Sequence, residues 1–360
     1  METTKRIFFV HLLNDYSGSP LVLSHVVKQM ASQNQECHVF TNNANSGYLS
    51  GISGVQYHSF FYTWSKFKPV TLLLLLFSQT VLFCKIAFRL KKGTIVYVNT
   101  VLPFGAALAG KLFGAKVIYH IHETSIKPAI LKNFLFSIVN FTASDTIYVS
   151  KFLYDQEKLA KPTNHVVYNA ISKEFLEKTQ SYLNTKKSEI FQILMLCSLK
   201  EYKGVWDFYQ LAVKLLDYRF CLVLNTTEKE IETFFSKVEI PKNLILHPVQ
   251  KNVHPFYAQS HLLMNLSHPD KWRETFGMTV IEGMAYGLPA IVPPVGGISE
   301  LVDDWANGFK ISHQNEEKMI STIQQVAINK EMYEMLSVNS VSRIQQFSEE
   351  VFAKQIAQIL

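Results

Sequence analysis

Short apolar runs alternate with longer amphipathic stretches through the first half of the chain. Apolar runs of this length are typical of buried strands, whereas apolar residues that recur every three or four positions predict helices. The pattern predicts strands at IFFVHLL, CHVFTN, TIVYVN, AKVIYHIH, 145–150 and 165–169, and helices over 20–33, 71–90 and 104–113. Because alternating strands and helices build a parallel, doubly wound sheet, the first half is expected to form an α/β domain.

A polar stretch after residue 171, SKEFLEKTQSYLNTKKSE, interrupts this pattern and is typical of a linker with some helix. The alternation then begins again, with predicted strands at IFQILMLCSL, RFCLVLN, NLILHPV, HLLMNLS and PAIVPP and a helix over 205–216. The predicted organisation is therefore an N-terminal domain over 1–171, a linker over 172–189, a C-terminal domain over 190–345 and a closing helix over 346–360.

Composition is consistent with a folded protein of two domains. The chain has 360 residues, of which 48% are hydrophobic and 18% charged, and one domain usually takes about 150 residues. The four cysteines are widely spaced, which favours a reducing cytoplasm over a disulfide scaffold or a zinc site. The first apolar run is too short for a signal peptide, so export is not expected. A net charge of +6 does not by itself choose between anionic partners.

The apolar stretch over 71–87, TLLLLLFSQTVLFCKIA, has three interpretations. It could be a helix of a soluble domain, a helix at a membrane surface with basic anchors, or a membrane span near the lower limit of length. Three basic residues follow it, namely Arg89, Lys91 and Lys92. Three residues within it disfavour a span, namely Ser78, Gln79 and Lys85.

Two glutamates, Glu274 and Glu282, lie eight positions apart in RETFGMTVIEGMAYGLPA. The apolar spacing predicts a short helix over 278–286, with Glu274 in its entry loop at the carboxyl edge of a parallel sheet, where open α/β folds bind ligands. Backbone N–H groups at the start of that helix favour an anion, at Gly277, Met278 and Thr279. Backbone amides can bind phosphate and carboxylates can bind sugar hydroxyls, so together they indicate a sugar nucleotide as the ligand. The alternative is that both glutamates are simply solvated.

The segment ETFGMTVIEGMAYGLPAIVPPVGGISELVDDWANGF resembles the carboxy-terminal signature of the retaining glycosyltransferases of family 4, the glycosyl transferases group 1. The resemblance implies the GT-B fold, in which two doubly wound Rossmann-like domains face each other across a cleft. It also implies that Glu274 contacts the hydroxyls of the donor sugar and Glu282 the nucleotide ribose. Phe276, with the three residues after it, is then expected to contact the donor.

A second segment, CSLKEYKGVWDF, is similar to the strand-to-helix phosphate segment of the same family. Lys203 and Gly204 fit the family pattern, and the resemblance implies that Lys203 neutralises the leaving diphosphate. Ser198 stands where the family usually has an arginine. Lys200 is the alternative source of that missing charge, although a lysine cannot reproduce the bidentate fork of arginine.

Two segments of the first half also resemble the family. NDYSGSP is similar to the flexible loop that brings a glycine, here Gly18, close to donor and acceptor. YHIHETS is similar to the segment whose histidine faces the scissile sugar bond, and alignment by the strand end favours His122 over His120 as the catalytic residue. Glu123 is a possible neighbour in that site.

The family resemblance implies a cytoplasmic, metal-independent glycosyltransferase that needs no cofactor and uses a nucleotide-sugar donor of UDP or GDP type as substrate. The expected acceptor is a glycan or a lipid-linked saccharide, as in surface polysaccharide biosynthesis, and the inner face of the membrane is a candidate partner whereas nucleic acid is not. Asp303 and Asp304 resemble a polar turn and not a metal-binding pair. Two alternatives stay open, a sugar-nucleotide epimerase of the same fold and a non-catalytic glycan-binding protein, and Ser198 supports the second.

Overall fold

The computed structural model describes residues 4–360 except residues 44, 64, 183 and 186. Its contacts divide the chain into two compact units. The first comprises Met1–Ala170 and Glu349–Leu360, and the second comprises Ile171–Ser348. Each unit contains one parallel sheet with helices between the strands, so the predicted α/β class is confirmed.

The first unit is built on a sheet of seven parallel strands, in the order β3-β2-β1-β4-β5-β6-β7. The strands are β1 (Arg6–Val10), β2 (Glu36–Thr41), β3 (Val55–Ser59), β4 (Ile95–Asn99), β5 (Lys116–Ile121), β6 (Asp145–Tyr148) and β7 (Thr163–Val166). The strand order reverses between β1 and β4, and this switch point opens a crevice at the carboxyl ends of the strands. β3 is an edge strand with polar residues, which explains why the apolar pattern did not predict it.

In the described part of the first unit, six helices accompany this sheet. They are α1 (Gly18–Ser32), α2 (Lys68–Ala87), α3 (Phe104–Leu112), α4 (Ala129–Thr142), α5 (Lys151–Glu157) and, from the end of the chain, α13 (Glu349–Ile359). α13 buries its apolar face in the core of the first unit, and Nε2 of Gln29 donates to the carbonyl of Ala353 at 2.8 Å. The closing helix is therefore part of the first unit.

The second unit has six parallel strands in the order β10-β9-β8-β11-β12-β13. The strands are β8 (Gln192–Cys197), β9 (Arg219–Leu224), β10 (Leu244–His247), β11 (Leu262–Met264), β12 (Ala290–Val292) and β13 (Gly308–Lys310). The helices are α6 (Lys173–Gln180), α7 (Val205–Lys214), α8 (Glu228–Phe235), α9 (His254–Gln259), α10 (Met278–Met284), α11 (Glu316–Ile328) and α12 (Lys330–Arg343). The strand order reverses between β8 and β11. The segment expected as a linker contains α6, which lies in this unit.

A glycine fixes the chain where β8 leads into α7. Gly204 has φ of 78°, a left-handed conformation that favours glycine, and a Cβ there would overlap the backbone carbonyl of Leu266. The turn that carries Lys203 is therefore packed directly against the loop that follows β11.

Candidate functional site

A pocket of about 180 Å³ opens at the carboxyl ends of β8 and β11 in the second unit. This is the switch point of the sheet, where open α/β folds bind ligands. The pocket is lined by Leu196, Cys197, Ser198, Lys203, Asn265, Glu274, Phe276, Gly277, Met278 and Thr279. Seven of the residues proposed from the sequence are therefore brought together here.

Lys203 and Glu274 form an ion pair in this pocket, through Nζ and Oε1. Their side chains are only 15% and 16% exposed, so the pair is shielded from most of the solvent. The hydroxyl of Ser267 donates to the same Glu274 oxygen at 2.8 Å, and the indole N–H of Trp272 donates to the other at 3.3 Å. Nζ of Lys203 also lies over the Trp272 ring, 5.0 Å from its centroid.

Two glycines allow the loop that carries Glu274 to approach its neighbours closely. The N–H of Gly297 donates to the Glu274 carbonyl at 2.7 Å. A Cβ on Gly296, which has φ of 109°, would lie 2.7 Å from the same carbonyl oxygen. A Cβ on Gly277 would lie 2.7 Å from Cγ1 of Ile298. α10 begins at Met278. Its first backbone N–H groups have no acceptor within the helix, so the N-terminal end of α10 favours an anion.

Glu282 lies one turn into α10 and is not among the residues that line the pocket. Its Oε2 accepts a hydrogen bond from the Tyr257 hydroxyl at 2.6 Å, and the Tyr257 ring stacks on Tyr286 with centroids 5.7 Å apart. Burial raises the pKa of the Glu282 carboxyl to about 7, although the hydrogen bond from Tyr257 acts in the opposite direction. Glu274 and Glu282 thus occupy different surroundings, one beside a lysine and one beside a phenol.

The two lysines proposed from the sequence are also in different positions. Lys203 lines the pocket, whereas Lys200 is exposed and is absent from the lining. Ser198 lines the pocket at the position where the family usually has an arginine. Cys197 beside it is a neutral thiol, because burial raises its pKa to about 12.

The first unit brings a second polar cluster to the switch point of its own sheet. His11 follows β1, Asn99 ends β4 and His122 follows β5. Nε2 of His122 lies 2.9 Å from Oδ1 of Asn99, and Nδ2 of Asn99 lies 3.1 Å from Nδ1 of His11. Nδ2 of Asn99 also donates to the carbonyl of Ser19 at 3.1 Å, near the start of α1. Gly18 is the exposed first residue of that helix.

Burial keeps the histidines of this cluster neutral. Desolvation lowers the pKa of His11 to about 4 and that of His122 well below its usual value. His120 is fully buried, and its Nδ1 lies 2.8 Å from the Tyr97 hydroxyl. His122 is partly exposed, so it is the one of the pair that a ligand can reach. Burial raises the pKa of the adjacent Glu123 to about 7.

One group in the described part of the chain could offer metal ligands, namely His268, Asp270 and His313. The two histidine rings stack 3.9 Å apart with an interplanar angle of 14°, and Nε2 of His268 lies 2.7 Å from Oδ2 of Asp207. Lone pairs in the planes of nearly parallel rings do not converge on one ion, so this arrangement is a poor chelate.

Comparison with solved structures identifies the fold as GT-B, the two-domain α/β fold of glycosyltransferases. The chain is similar to Anabaena HepE in complex with UDP and glucose, with 17% identity, 99% of each chain covered and a TM-score of 0.77. Sucrose-phosphate synthase of Thermosynechococcus elongatus shares 14% identity, with 99% of this chain and 98% of that chain covered and a TM-score of 0.78. Residues 177–343 match the family model of the glycosyl transferases group 1.

Curated relatives agree with this assignment. N-acetyl-alpha-D-glucosaminyl L-malate synthase of Bacillus anthracis is 25% identical over 318 residues, which are 81% of this chain and 80% of that protein. An uncharacterized glycosyltransferase of Haemophilus influenzae is 24% identical over 346 residues, which are 92% of this chain and 93% of that protein. The prediction of a glycosyltransferase is confirmed at this level.

Sequence reasoning missed three side chains that surround the glutamates. Ser267 and Trp272 contact Glu274, and Tyr257 contacts Glu282. Ser267 and Trp272 lie in the loop between β11 and Glu274, so their position after a strand end was a usable signal. Tyr257 lies on α9, 25 residues before Glu282 in the sequence, and nothing in the local pattern indicates that contact.

Proposed function

We propose that the chain is a retaining glycosyltransferase that moves a sugar from a nucleotide-sugar donor to a glycan or a lipid-linked saccharide, in the biosynthesis of a surface polysaccharide. The observation that carries this proposal is the ion pair of Lys203 and Glu274 beside the N-terminal end of α10, in the pocket of the second unit. A cation and a carboxylate beside helix N–H groups match the two parts of such a donor, its phosphates and its sugar hydroxyls.

In this proposal donor binding rearranges the ion pair. The diphosphate takes the ammonium of Lys203, and Glu274 then accepts hydrogen bonds from the hydroxyls of the transferred sugar. Ser267 and Trp272 keep the Glu274 carboxylate in place while Lys203 moves, because both donate to it independently of the lysine. The pocket is therefore pre-organised for the carboxylate and adjustable for the cation.

Departure of a nucleoside diphosphate develops negative charge on its phosphate oxygens. In this proposal Lys203 and the N–H groups at the start of α10 stabilise this charge, and a well-oriented donor contributes roughly 3 kcal/mol to such a transition state. Side-chain and backbone donors then do what a divalent ion does in other transferases, which is the basis for proposing metal-independent transfer without a cofactor.

The first unit contributes His122 to this proposal, by the family resemblance. Its neutral imidazole is held by Asn99 and is partly exposed, so it can exchange hydrogen bonds with a sugar hydroxyl or carbonyl group without adding charge. Gly18 is proposed to lie near donor and acceptor, because a Cβ at that position has no heavy atom within 4 Å and a ligand therefore has room.

A uridine donor is our first expectation, because solved structures similar to this chain contain UDP and UDP-glucose. The donor can be identified by thermal unfolding with UDP, GDP, ADP and their sugars. A ligand at 100 times its Kd stabilises the folded state by about 2.7 kcal/mol, which is readily measured. A GDP-selective shift would replace uridine by guanosine in the proposal, and no shift with any nucleotide would contradict it.

Transfer itself is tested with a radiolabelled donor and a membrane glycolipid extract as acceptor, with Glu274→Gln as the inactive control. We expect labelled glycolipid only with the wild-type protein and only when acceptor is present. Conversion of the donor to an epimer without acceptor would establish the epimerase instead. Donor binding without any transfer, hydrolysis or epimerisation would favour the non-catalytic alternative, to which Ser198 in place of arginine points.

A further inference from the structure

The longest helix of the first unit, α2, turns an apolar face outward. Leu73 and Phe77 are 66% and 58% exposed, and Phe88, which directly follows the helix, is 88% exposed. Val70, Leu72 and Leu76 on the same helix are also exposed. These six residues are called the α2 face below. Exposed apolar side chains in such a contiguous set mark an interaction surface more often than isolated ones do.

The buried face of α2 carries polar as well as apolar side chains. The inward face includes Ser78 and Gln79, and Oε1 of Gln79 accepts a hydrogen bond from the N–H of Gly105 on α3 at 3.0 Å. A Cβ on Gly105 would overlap the Gln79 carbonyl, so the two helices are in close contact at this point. Leu75, Leu82 and Ile86 are buried on the same inward face, so some leucines of α2 are core residues. The interpretation of a packed helix therefore holds for one side of α2, whereas the other side exposes leucine and phenylalanine.

By length and composition α2 could span a membrane, since its mean hydropathy is 2.0. Only 28% of its most apolar stretch is buried inside the protein. Its contact with α3 through Gln79 argues against a span, because a spanning helix would have to leave this packing and expose two polar side chains to lipid. A helix of 20 residues is about 30 Å long, and α2 can place that length flat on a membrane surface.

The segment of the sequence that contains α2 is rich in basic residues. Between Glu36 and Glu123 the sequence has no acidic residue and eight basic ones, namely Lys66, Lys68, Lys85, Arg89, Lys91, Lys92, Lys111 and Lys116. The whole chain carries +6, so the rest of it sums to −2 (6 minus 8). The net positive charge of the protein is therefore concentrated in one segment, with basic residues at both ends of an apolar helix.

The next helices extend this surface. α2 packs on α3, and α3 packs on α4. α4 exposes Ile130, Phe134 and Phe141, of which Ile130 is 82% exposed. Nζ of Lys111 on α3 lies 6.0 Å from the centroid of the Phe141 ring. Apolar and basic side chains therefore occur together across this row of helices, as on helices that lie in the interface of a membrane.

We propose that the α2 face is a docking surface for an anionic lipid bilayer. Its leucine and phenylalanine side chains enter the boundary between headgroups and acyl chains, and the flanking lysines and arginine contact anionic headgroups. α2 lies in the plane of the membrane and stays packed on α3. This inference does not depend on the proposed donor chemistry, since it concerns other residues and is tested by binding alone.

The test is sedimentation of the full chain with vesicles of phosphatidylcholine alone or with phosphatidylglycerol added at 30%. We expect binding to the anionic vesicles at low salt, weaker binding to neutral ones, and release from the anionic vesicles at high salt. The double variant Leu73→Ser with Phe77→Ser should bind at least tenfold more weakly. Ile328→Ser is the matched control, because Ile328 is 80% exposed at the end of α11 in the second unit.

A charge variant separates the two contributions. Lys91→Gln with Lys92→Gln should weaken binding to anionic vesicles by roughly fivefold for each charge and should leave binding to neutral vesicles unchanged. Both double variants change exposed or partly exposed residues, so they should unfold at the wild-type temperature and keep the thermal shift with nucleotide. A lost nucleotide shift in the wild type would count against the proposed function and not against docking.

Three results would overturn the proposal. One is no binding of the wild type to anionic vesicles at low salt, and another is equal binding by the wild type and the Leu73→Ser, Phe77→Ser variant. The third is self-association in light scattering that this variant abolishes, without any vesicle binding. In that case a second copy of the chain, and not a bilayer, covers the α2 face.

Discussion

The two units place polar clusters at the same point of their sheets, but only the cluster of the second unit contains charged groups. In the first unit His11, Asn99 and His122 form a neutral network, because burial keeps the imidazoles unprotonated. In the second unit the corresponding edge carries the ion pair of Lys203 and Glu274. The shared fold therefore sets the position of the polar cluster in each sheet, and the residues at the strand ends set the charge of that cluster. The phosphates are expected at the second unit only.

The largest effect is expected from removing the cation of the second unit. Lys203→Ala should lower kcat/KM for transfer by about 100-fold, since a donor of charge stabilisation worth roughly 3 kcal/mol is lost. Lys200→Ala is the matched control, because Lys200 is exposed and does not line the pocket. If Lys200→Ala were the more damaging of the two, Lys200 would be the replacement for the family arginine and the comparison of the units would need revision.

Opposite pH dependences are expected from single buried groups of the two units. Burial lowers the pKa of His120 to about 3, so the unfolded chain binds a proton near pH 6.5 and the folded protein does not. Stability that His120 contributes is therefore lost as the pH falls from 6.5 towards 3. The gap in unfolding free energy between the wild type and His120→Gln should narrow by about 2 kcal/mol from pH 7 to pH 5, as measured in urea.

Glu282 provides the control of opposite sign. Its folded pKa of about 7 lies above the usual value of 4.5, so its contribution is present below pH 4.5 and is lost as the pH rises through 7. Glu282→Gln should therefore gain stability relative to the wild type between pH 5 and pH 8. Parallel slopes for His120→Gln and Glu282→Gln would mean that burial does not act on the two units as described.

A smaller effect is expected from the two glutamates on nucleotide binding. Glu282→Ala should weaken binding of the free nucleoside diphosphate about tenfold, whereas Glu274→Ala should spare it and lower kcat, because only the ribose is part of the free nucleotide. Titration calorimetry on both variants checks this. Equal nucleotide affinity in the wild type and Glu282→Ala would contradict the assignment of Glu282 to the ribose.

The smallest effect is expected from restoring the family residue in the second unit. Ser198→Arg should improve nucleotide affinity by a fewfold, since a guanidinium can contact phosphate oxygens in a bidentate way. Ser198→Lys is the control for charge without that geometry. A loss of affinity in both variants would show that the pocket of about 180 Å³ has no room for a longer side chain at this position.

Buried central strands were predictable from the sequence because their apolar runs are nearly uninterrupted, as in β4 and β5. The edge strand β3 was not, since VQYHS carries a polar pattern that a loop could share. α13 was predicted as a closing helix, but the local pattern does not specify which sheet it packs against, and the structure places it in the first unit.

The candidate site was predictable to the extent that it is continuous in sequence. Residues around the start of α10 were found from one motif, and Lys203 from another. The contact between Lys203 and Glu274 spans 71 positions and depends on the close approach that Gly204 allows to Leu266. Neither the position of Lys200 outside the pocket nor the hydrogen bond from Tyr257 to Glu282 follows from spacing, because both depend on how distant loops pack.

The four cysteines differ in accessibility, so one of them can carry a fluorescent reporter. Cys37 and Cys221 are buried, and Cys197 stays a thiol at neutral pH because its pKa is raised to about 12, whereas Cys84 is exposed on α2 among the outward apolar side chains. A maleimide dye added under mild conditions should therefore label Cys84 selectively in the unmodified protein. An environment-sensitive dye at that position would report by its emission colour whether this helix is in water, in lipid or against another protein.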